Sequence, residues 1–299
     1  GLFHKAIAQS GAGHVGNEPE RAIRVAEAVL AEMGLSPKEA GKACDAPYGA
    51  VIAAQIAVFA NASAGRDTRR LGAMPFQPSI DGALLPVRPI AAIRSGSAKH
   101  VPLLTGTTKE EWKLFTAADP RLRMMSAQGL SERMEKILGD GAVPILQAYA
   151  DGTAFDRFNA IMTDKSFAVP AARMLDAQSQ HAPTFAYRFA WRSPLLGGIF
   201  GACHALDIGF VFGTHNQKLA NMFFGAGPEA DALARSMMTA WSQFARTGAP
   251  SDNDVFWPAY DSDRQSTMIF GDGSPRVSDG PGKANLALWD SVADRKLGP

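Results

Sequence analysis

Apolar and polar positions alternate with two different periods along this chain. Lys5-Ala6-Ile7-Ala8-Gln9 is a short apolar run closed by Ser10-Gly11-Ala12-Gly13, which predicts a buried strand and a glycine loop. Ala22, Val25, Ala26, Val29, Leu30 and Met33 share one helical face; the pattern places Asn17 at the cap, Glu20 as its capping-box partner and Gly34 at the end. Ser36-Pro37-Lys38-Glu39 starts a second helix, and residues 47–60 predict a third, apolar enough to be mostly buried. Arg66 to Arg70 reads as a solvated charged loop, and Met74 to Gly82 as a strand ending in an Asp81-Gly82 turn. A short helix at 89–94 leads to Gly96 and then to a buried strand over Val101 to Gly106.

From about 126 to 165 the pattern is helical and carries no sheet signal, which predicts a peripheral helical region. Pro170 opens a helix through Gln180. Thr184 to Trp191 alternates as a strand, with Phe185, Tyr187, Phe189 and Trp191 on one face. Pro228 to Arg246 is the clearest helix: Leu233, Met237, Trp241 and Phe244 share a face, Gly248 follows as C-cap and Pro250 lies just beyond. Trp257-Pro258-Ala259-Tyr260 is a turn, Thr267-Met268-Ile269-Phe270 a last strand, and Asn285 to Val292 a terminal helix. Strands separated by helices define an α/β fold with a mostly parallel sheet.

Composition narrows the function classes. The 299 residues are 46% hydrophobic and 20% charged, with a formal net charge of +1. No basic stripe points to nucleic acid, and no apolar run has membrane-spanning length. Cys44 and Cys203 are far apart and lack metal spacing, so they could pair only by accident of the fold and leave the redox compartment undetermined; no metal or other cofactor is expected. The chain opens on Gly1-Leu2-Phe3-His4, without an initiator Met, so its compartment is left open.

Two stretches carry candidate chemistry. In Gly201-Ala202-Cys203-His204-Ala205-Leu206-Asp207-Ile208-Gly209-Phe210-Val211-Phe212-Gly213 a histidine follows three small residues and precedes an apolar, aromatic run. That setting suits a reachable catalytic imidazole; it also suits a satisfied structural histidine. About ninety residues upstream, Leu103 to Trp112 reads as an apolar strand, a glycine and then the acids Glu110 and Glu111. An acid on a strand-end loop and a later His match two members of an acid–His–nucleophile relay, whose parts are recognised by role. The other histidines, His4, His14, His100, His181 and His215, show no partner pattern. Cys203 reads as a small buried packing residue.

At this point the chain resembles the type B carboxylesterase, or cholinesterase-like, branch of the α/β hydrolases. The resemblance runs through Leu2-Phe3-His4-Lys5-Ala6-Ile7-Ala8-Gln9-Ser10-Gly11, Pro78-Ser79-Ile80-Asp81-Gly82 with Leu85-Pro86, Pro102 to Glu111, Trp241 to Pro250, and Trp257-Pro258-Ala259-Tyr260. It implies a partial α/β-hydrolase domain over 1–299, with 126–165 as a peripheral helical region within it. It implies Glu111 as the triad acid, His204 as the base, and Ser10 and Asp207 as supporting residues beside them. Glu110 is then expected to point away from His204. Where the family usually has Gly after the acid, this chain has Trp112, which would narrow the acyl side of the pocket; Phe210 and Phe212 are further pocket candidates, although an aromatic near a buried loop is more often core.

The family nucleophile lies on a G-x-S-x-G elbow, and none occurs here; Gln9-Ser10-Gly11-Ala12-Gly13 comes nearest but has Ala8 two before the serine. The glycine-rich oxyanion loop is missing too. The resemblance therefore implies the C-terminal part of an ester hydrolase acting on small-molecule esters, lacking its nucleophile serine, inactive alone and completed by an N-terminal part of the same protein. The competing reading is a non-catalytic cholinesterase-like binding or adhesion domain, since such relatives commonly lose triad members; both Glu111 and His204 are kept here.

Overall fold

The computed structural model describes residues 2–11, 13–63, 66–72, 74–251 and 255–297. They form two compact units, one from the first strand and the chain from Ile93 onward, the other from His14–Ala92. The larger unit carries a five-stranded sheet in chain order: β1 (Ala6–Gln9), β2 (Leu103–Thr108), β3 (Thr184–Phe189), β4 (Ser266–Phe270) and β5 (Arg276–Asp279). β1 to β4 run parallel, and β5 is antiparallel to β4.

β2 and β4 are buried throughout, and β3 all but Arg188, as expected of parallel strands covered on both faces. β1 is one edge of the described sheet, β5 the other, and Ile7 is 37% exposed. The strand, expected to be interior in an intact protein and to show an open edge in this chain, is partly covered among the described residues.

The main core lies against β3 and β4. Leu233, Met237, Trp241 and Phe244 of the helix Pro228–Thr247 pack with Tyr187, Phe189, Met268, Phe270 and Trp257. Burying each such side chain contributes about 1.5–3 kcal/mol. The helix closes on Gly248 in the left-handed conformation, φ 86°. The 126–165 segment forms three helices, Ala127–Leu138, Ala142–Ala148 and Ala154–Thr163. They share a second core with Trp289 and Leu297.

In the smaller unit, α1 (Pro19–Glu32) and α2 (Tyr48–Ser63) pack through Val25, Val58 and Leu71. α2 is not mostly buried: Tyr48, Ile52, Ile56 and Phe59 are exposed and only the face carrying Ala54, Val58 and Ala62 is covered. Its sequence is apolar all round, so periodicity could not show which face finds a partner. Asn17 does not cap α1. Pro19 fits the first helical position, which puts the cap at Glu18, and the Asn17 side chain donates to the Pro75 carbonyl instead. Met74 to Gly82 makes a single bridge, Asn17 to Ser79, rather than a strand, and Asp81 accepts from the Ala83 and Leu85 amides in a turn. Thr68–Leu71 is a short helix within the segment read as a loop. β5 went unforeseen because Arg276-Val277-Ser278-Asp279 is short and mostly exposed; the terminal helix expected over Asn285 to Val292 is an α-helix over Lys283–Ala287, followed by a 3-10 turn at Asp294–Lys296.

Gly106 sets the β2–β3 spacing. A Cβ there would lie 2.1 Å from the Tyr187 carbonyl oxygen and 2.4 Å from the Tyr187 ring. Overpacking usually costs about 1–3 kcal/mol, and here the obstacle is backbone. Gly106→Ala should therefore destabilise the protein by at least about 3 kcal/mol in a urea melt; an unchanged midpoint would contradict this packing.

Candidate active site

Parallel strands deliver their following loops to one side of the sheet, and in open α/β sheets that carboxyl-end side is where sites form. Ser10 follows β1, Lys109-Glu110-Glu111 follows β2, and the segment from Ala190 to His204 follows β3. The loops are joined by main-chain bonds. Lys109 N–H donates to the Phe189 carbonyl, Glu110 N–H to the Ala202 carbonyl, and His204 N–H to the Glu111 carbonyl.

Side chains complete the arrangement. Glu111 is fully buried, and its Oε2 lies 2.7 Å from His204 Nδ1. Its Oε1 accepts from Ser10 Oγ at 2.5 Å and from the Thr108 amide at 2.6 Å. Ser10 reaches it from a left-handed backbone conformation, φ 55°, and Ala205, just after the histidine, adopts φ 65°. Non-glycine residues held there cost of order 1 kcal/mol or more and persist where surrounding contacts fix them. Burial disfavours the charged imidazole, but the Glu111 hydrogen bond and charge, with Asp207 behind them, outweigh it and raise the His204 pKa above the ordinary imidazole value.

Asp207 is also buried. Its Oδ2 accepts from Tyr187 Oη at 2.7 Å and Gln9 Nε2 at 2.8 Å, and Gln9 Oε1 in turn accepts from Trp241 Nε1 at 3.2 Å. Glu110 turns away from the imidazole, as expected, towards Lys113, Arg192 and the Ala202 amide. Cys203 is buried and its thiol is pushed up to about 12, mainly by burial, which leaves it unreactive at neutral pH.

The aromatic surroundings differ from those expected. The His204 side chain is 30% exposed, and its ring faces Phe167 at 5.0 Å and Phe115 at 5.6 Å. Those two phenyl rings lie parallel, 6.5 Å apart. Trp112 packs behind them, 5.1 Å from Phe115 and 6.3 Å from Phe167, and its amide donates to Thr163 Oγ1. Phe210 is fully buried in the main core and stacks on His215, so it lines no open pocket; Phe212 is 70% exposed. Phe210 lies in the helical turn Ile208–Val211 that follows Asp207, and that turn points its ring inward. Phe167 was not foreseen: it arrives on a π-helical turn, Asp164–Ala168, whose extra residue shifts the helical face. Among the remaining histidines, His215 bonds Asp231 Oδ1 at 2.9 Å.

A mostly parallel sheet with helices around it, and an acid and a histidine meeting on its carboxyl-end loops, define an α/β hydrolase. The comparisons with known proteins agree. The model of the Carboxylesterase family matches residues 1–289. The Bacillus subtilis para-nitrobenzyl esterase is 32% identical over 272 residues, covering 90% of this chain and 53% of that protein. The Pseudarthrobacter oxydans phenmedipham hydrolase is 27% identical over 99% of this chain and 58% of its own length. Among solved structures, the Geobacillus stearothermophilus carboxylesterase EST55 superposes with a TM-score of 0.82 at 30% identity, covering 97% of this chain and 59% of that one. The chain belongs to the carboxylesterase family, and it spans somewhat over half the length of these relatives.

The sign of the His204 shift gives a test. A raised folded pKa means that the Glu111–His204 pair contributes stability fully at pH below the ordinary imidazole value of about 6.5, and that this contribution is lost as pH rises through the raised one. Glu111→Gln should lower the His204 pKa in an NMR titration and remove that pH-dependent contribution. An unmoved titration curve would contradict the assignment of Glu111 as the dominant partner.

Proposed function

We propose that the protein is a carboxylic ester hydrolase of the serine type, in which Glu111 and His204 are the acid and base of a Ser-His-Glu relay. The observation that carries this reading is the 2.7 Å contact between buried Glu111 and a His204 ring that stays partly exposed. With Nδ1–H donated to the carboxylate, Nε2 is left to take a proton from a nucleophilic hydroxyl and return it to the leaving alcohol. Glu111 fixes that tautomer and favours the imidazolium as it forms; any buried carboxylate in this place serves. Ser10 is not the nucleophile on this reading, because its hydroxyl is spent on Glu111 Oε1, the far side of the carboxylate from the imidazole. It and Asp207 hold the pair in position.

The attacking serine and the oxyanion donors, each donor worth about 3–4 kcal/mol in such enzymes, are assigned to an N-terminal part of the same protein outside these 299 residues. The partly open edge of β1 supports this, since it leaves a row of backbone groups for a further strand. The substrate class is a small ester. Phe115 and Phe167 beside His204 favour an aromatic acyl or alcohol group, with Trp112 backing both rings. A para-nitrobenzyl ester, the substrate in the name of one relative, is a suitable probe.

The test is hydrolysis of that ester by the naturally encoded protein. Glu111→Gln should lower kcat by about 10⁴-fold and His204→Ala by about 10⁶-fold, the losses seen when the acid or the base of such a relay is removed. Residues 1–299 expressed alone should read background. Full turnover by either variant, or by the isolated chain, would overturn the assignment.

A further inference from the structure

Glu110 is adjacent to the proposed acid and is held as closely as Glu111. Its side chain is 18% exposed. Oε1 accepts from Lys113 Nζ at 2.7 Å; Oε2 accepts from Arg192 Nη1 at 2.9 Å and from the Ala202 amide at 2.9 Å. Its own amide donates to the Ala202 carbonyl at 2.8 Å. Glu110 and Ala202 thus exchange a pair of bonds of the kind two facing strand residues make, with a carboxylate replacing one carbonyl. Two residues further on, the His204 amide donates to the Glu111 carbonyl at 3.2 Å, so the two loops are tied at both ends of a short register.

Gly201 is shaped around this carboxylate. Its φ is +56°, and a Cβ there would lie 2.2 Å from Glu110 Oε2. Burial works against the charge on Glu110, but the Lys113 and Ala202 hydrogen bonds and the Lys113 and Arg192 charges hold its carboxyl below the usual range. Lys113 is itself 12% exposed and also faces Asp156 at 3.6 Å. A partly buried, ionised group with three donors and a glycine cut to fit it is more than a solvated surface acid.

We propose that Glu110 is a positioning residue: its carboxylate clamps the Ala202 amide and so sets the register of the histidine loop that brings His204 Nδ1 onto Glu111. Catalytic groups must be held within about 0.5 Å of their working geometry, and a displacement of 1 Å can cost about 100-fold in rate. Nothing in the bonding of Glu110 involves the imidazole directly, so its effect passes through the loop. This inference rests on the acid–base reading of Glu111 and His204 for its consequence in catalysis, but not for its geometry.

The test uses the naturally encoded protein labelled on histidine, with the His204 Nδ1–H resonance and ring pKa followed by NMR in the absence of substrate, and kcat and KM measured separately. Glu110→Ala should weaken or shift the resonance of the bonded proton and lower the ring pKa. It should reduce kcat by about 10–100-fold with KM changed far less. Glu110→Gln keeps the reach and an acceptor for the Ala202 amide while losing the charge. Glu110→Asp keeps the charge and loses the reach. The clamp predicts that Gln recovers more of the resonance and of kcat than Asp does, and that order decides the matter even where the alanine variant fails to fold. An unchanged resonance and pKa in folded Glu110→Ala, or Asp outperforming Gln, would overturn the proposal. Because the resonance is read without substrate, a failure of the clamp is distinguishable from a failure of the hydrolase reading.

Discussion

A carboxylate removed entirely from water must find donors for both oxygens, because an uncompensated buried charge costs several kcal/mol. Glu111 is in that position, and the ends of the first three strands are arranged to supply its needs. β1 ends in Ser10, bent into a left-handed turn that directs its hydroxyl at Oε1; β2 ends in Thr108, whose amide points to the same oxygen; the chain after β3 returns His204 to Oε2. No one strand can satisfy this acid, so the site depends on the parallel register that places the three ends side by side.

The charges around it are graded by what compensates them. Glu111 is met by an imidazole, Glu110 by Lys113 and Arg192, and Asp207 by the neutral donors Tyr187 and Gln9. Among the described residues no cation is bonded to Asp207, and its field adds to that of Glu111 in favouring protonated His204. Trp241 closes the chain of bonds from the helix Pro228–Thr247, so that helix helps to hold buried Asp207 through Gln9. Packing and chemistry meet at Tyr187, whose ring belongs to the main core and whose hydroxyl belongs to the site.

The sheet strands β1 to β4 and the helix Pro228–Thr247 were legible because their periods, glycines and prolines point the same way. The Glu111–His204 pair was legible only through the family resemblance; spacing alone could not choose between Glu110 and Glu111, which differ in which side of one loop they face. Phe115 and Phe167 escaped notice because a ring that packs on a histidine has no sequence mark, and a π-helical turn shifts Phe167 by a residue. Of the two readings open for Phe210, pocket wall or core, its place near a buried loop favoured core without excluding the pocket, and the buried ring is core. The smaller unit was the least legible. There Pro19 displaced the cap expected at Asn17, and α2 offered apolar residues on every face.

The central claim is that His204 and Glu111 serve a serine other than Ser10. The most direct measurement is reaction of the naturally encoded protein with a serine-directed fluorophosphonate, followed by peptide mass spectrometry. A single labelled serine outside residues 1–299 is expected, with labelling abolished in His204→Ala and Ser10 unmodified. Labelling of Ser10, or labelling that survives loss of His204, would contradict it.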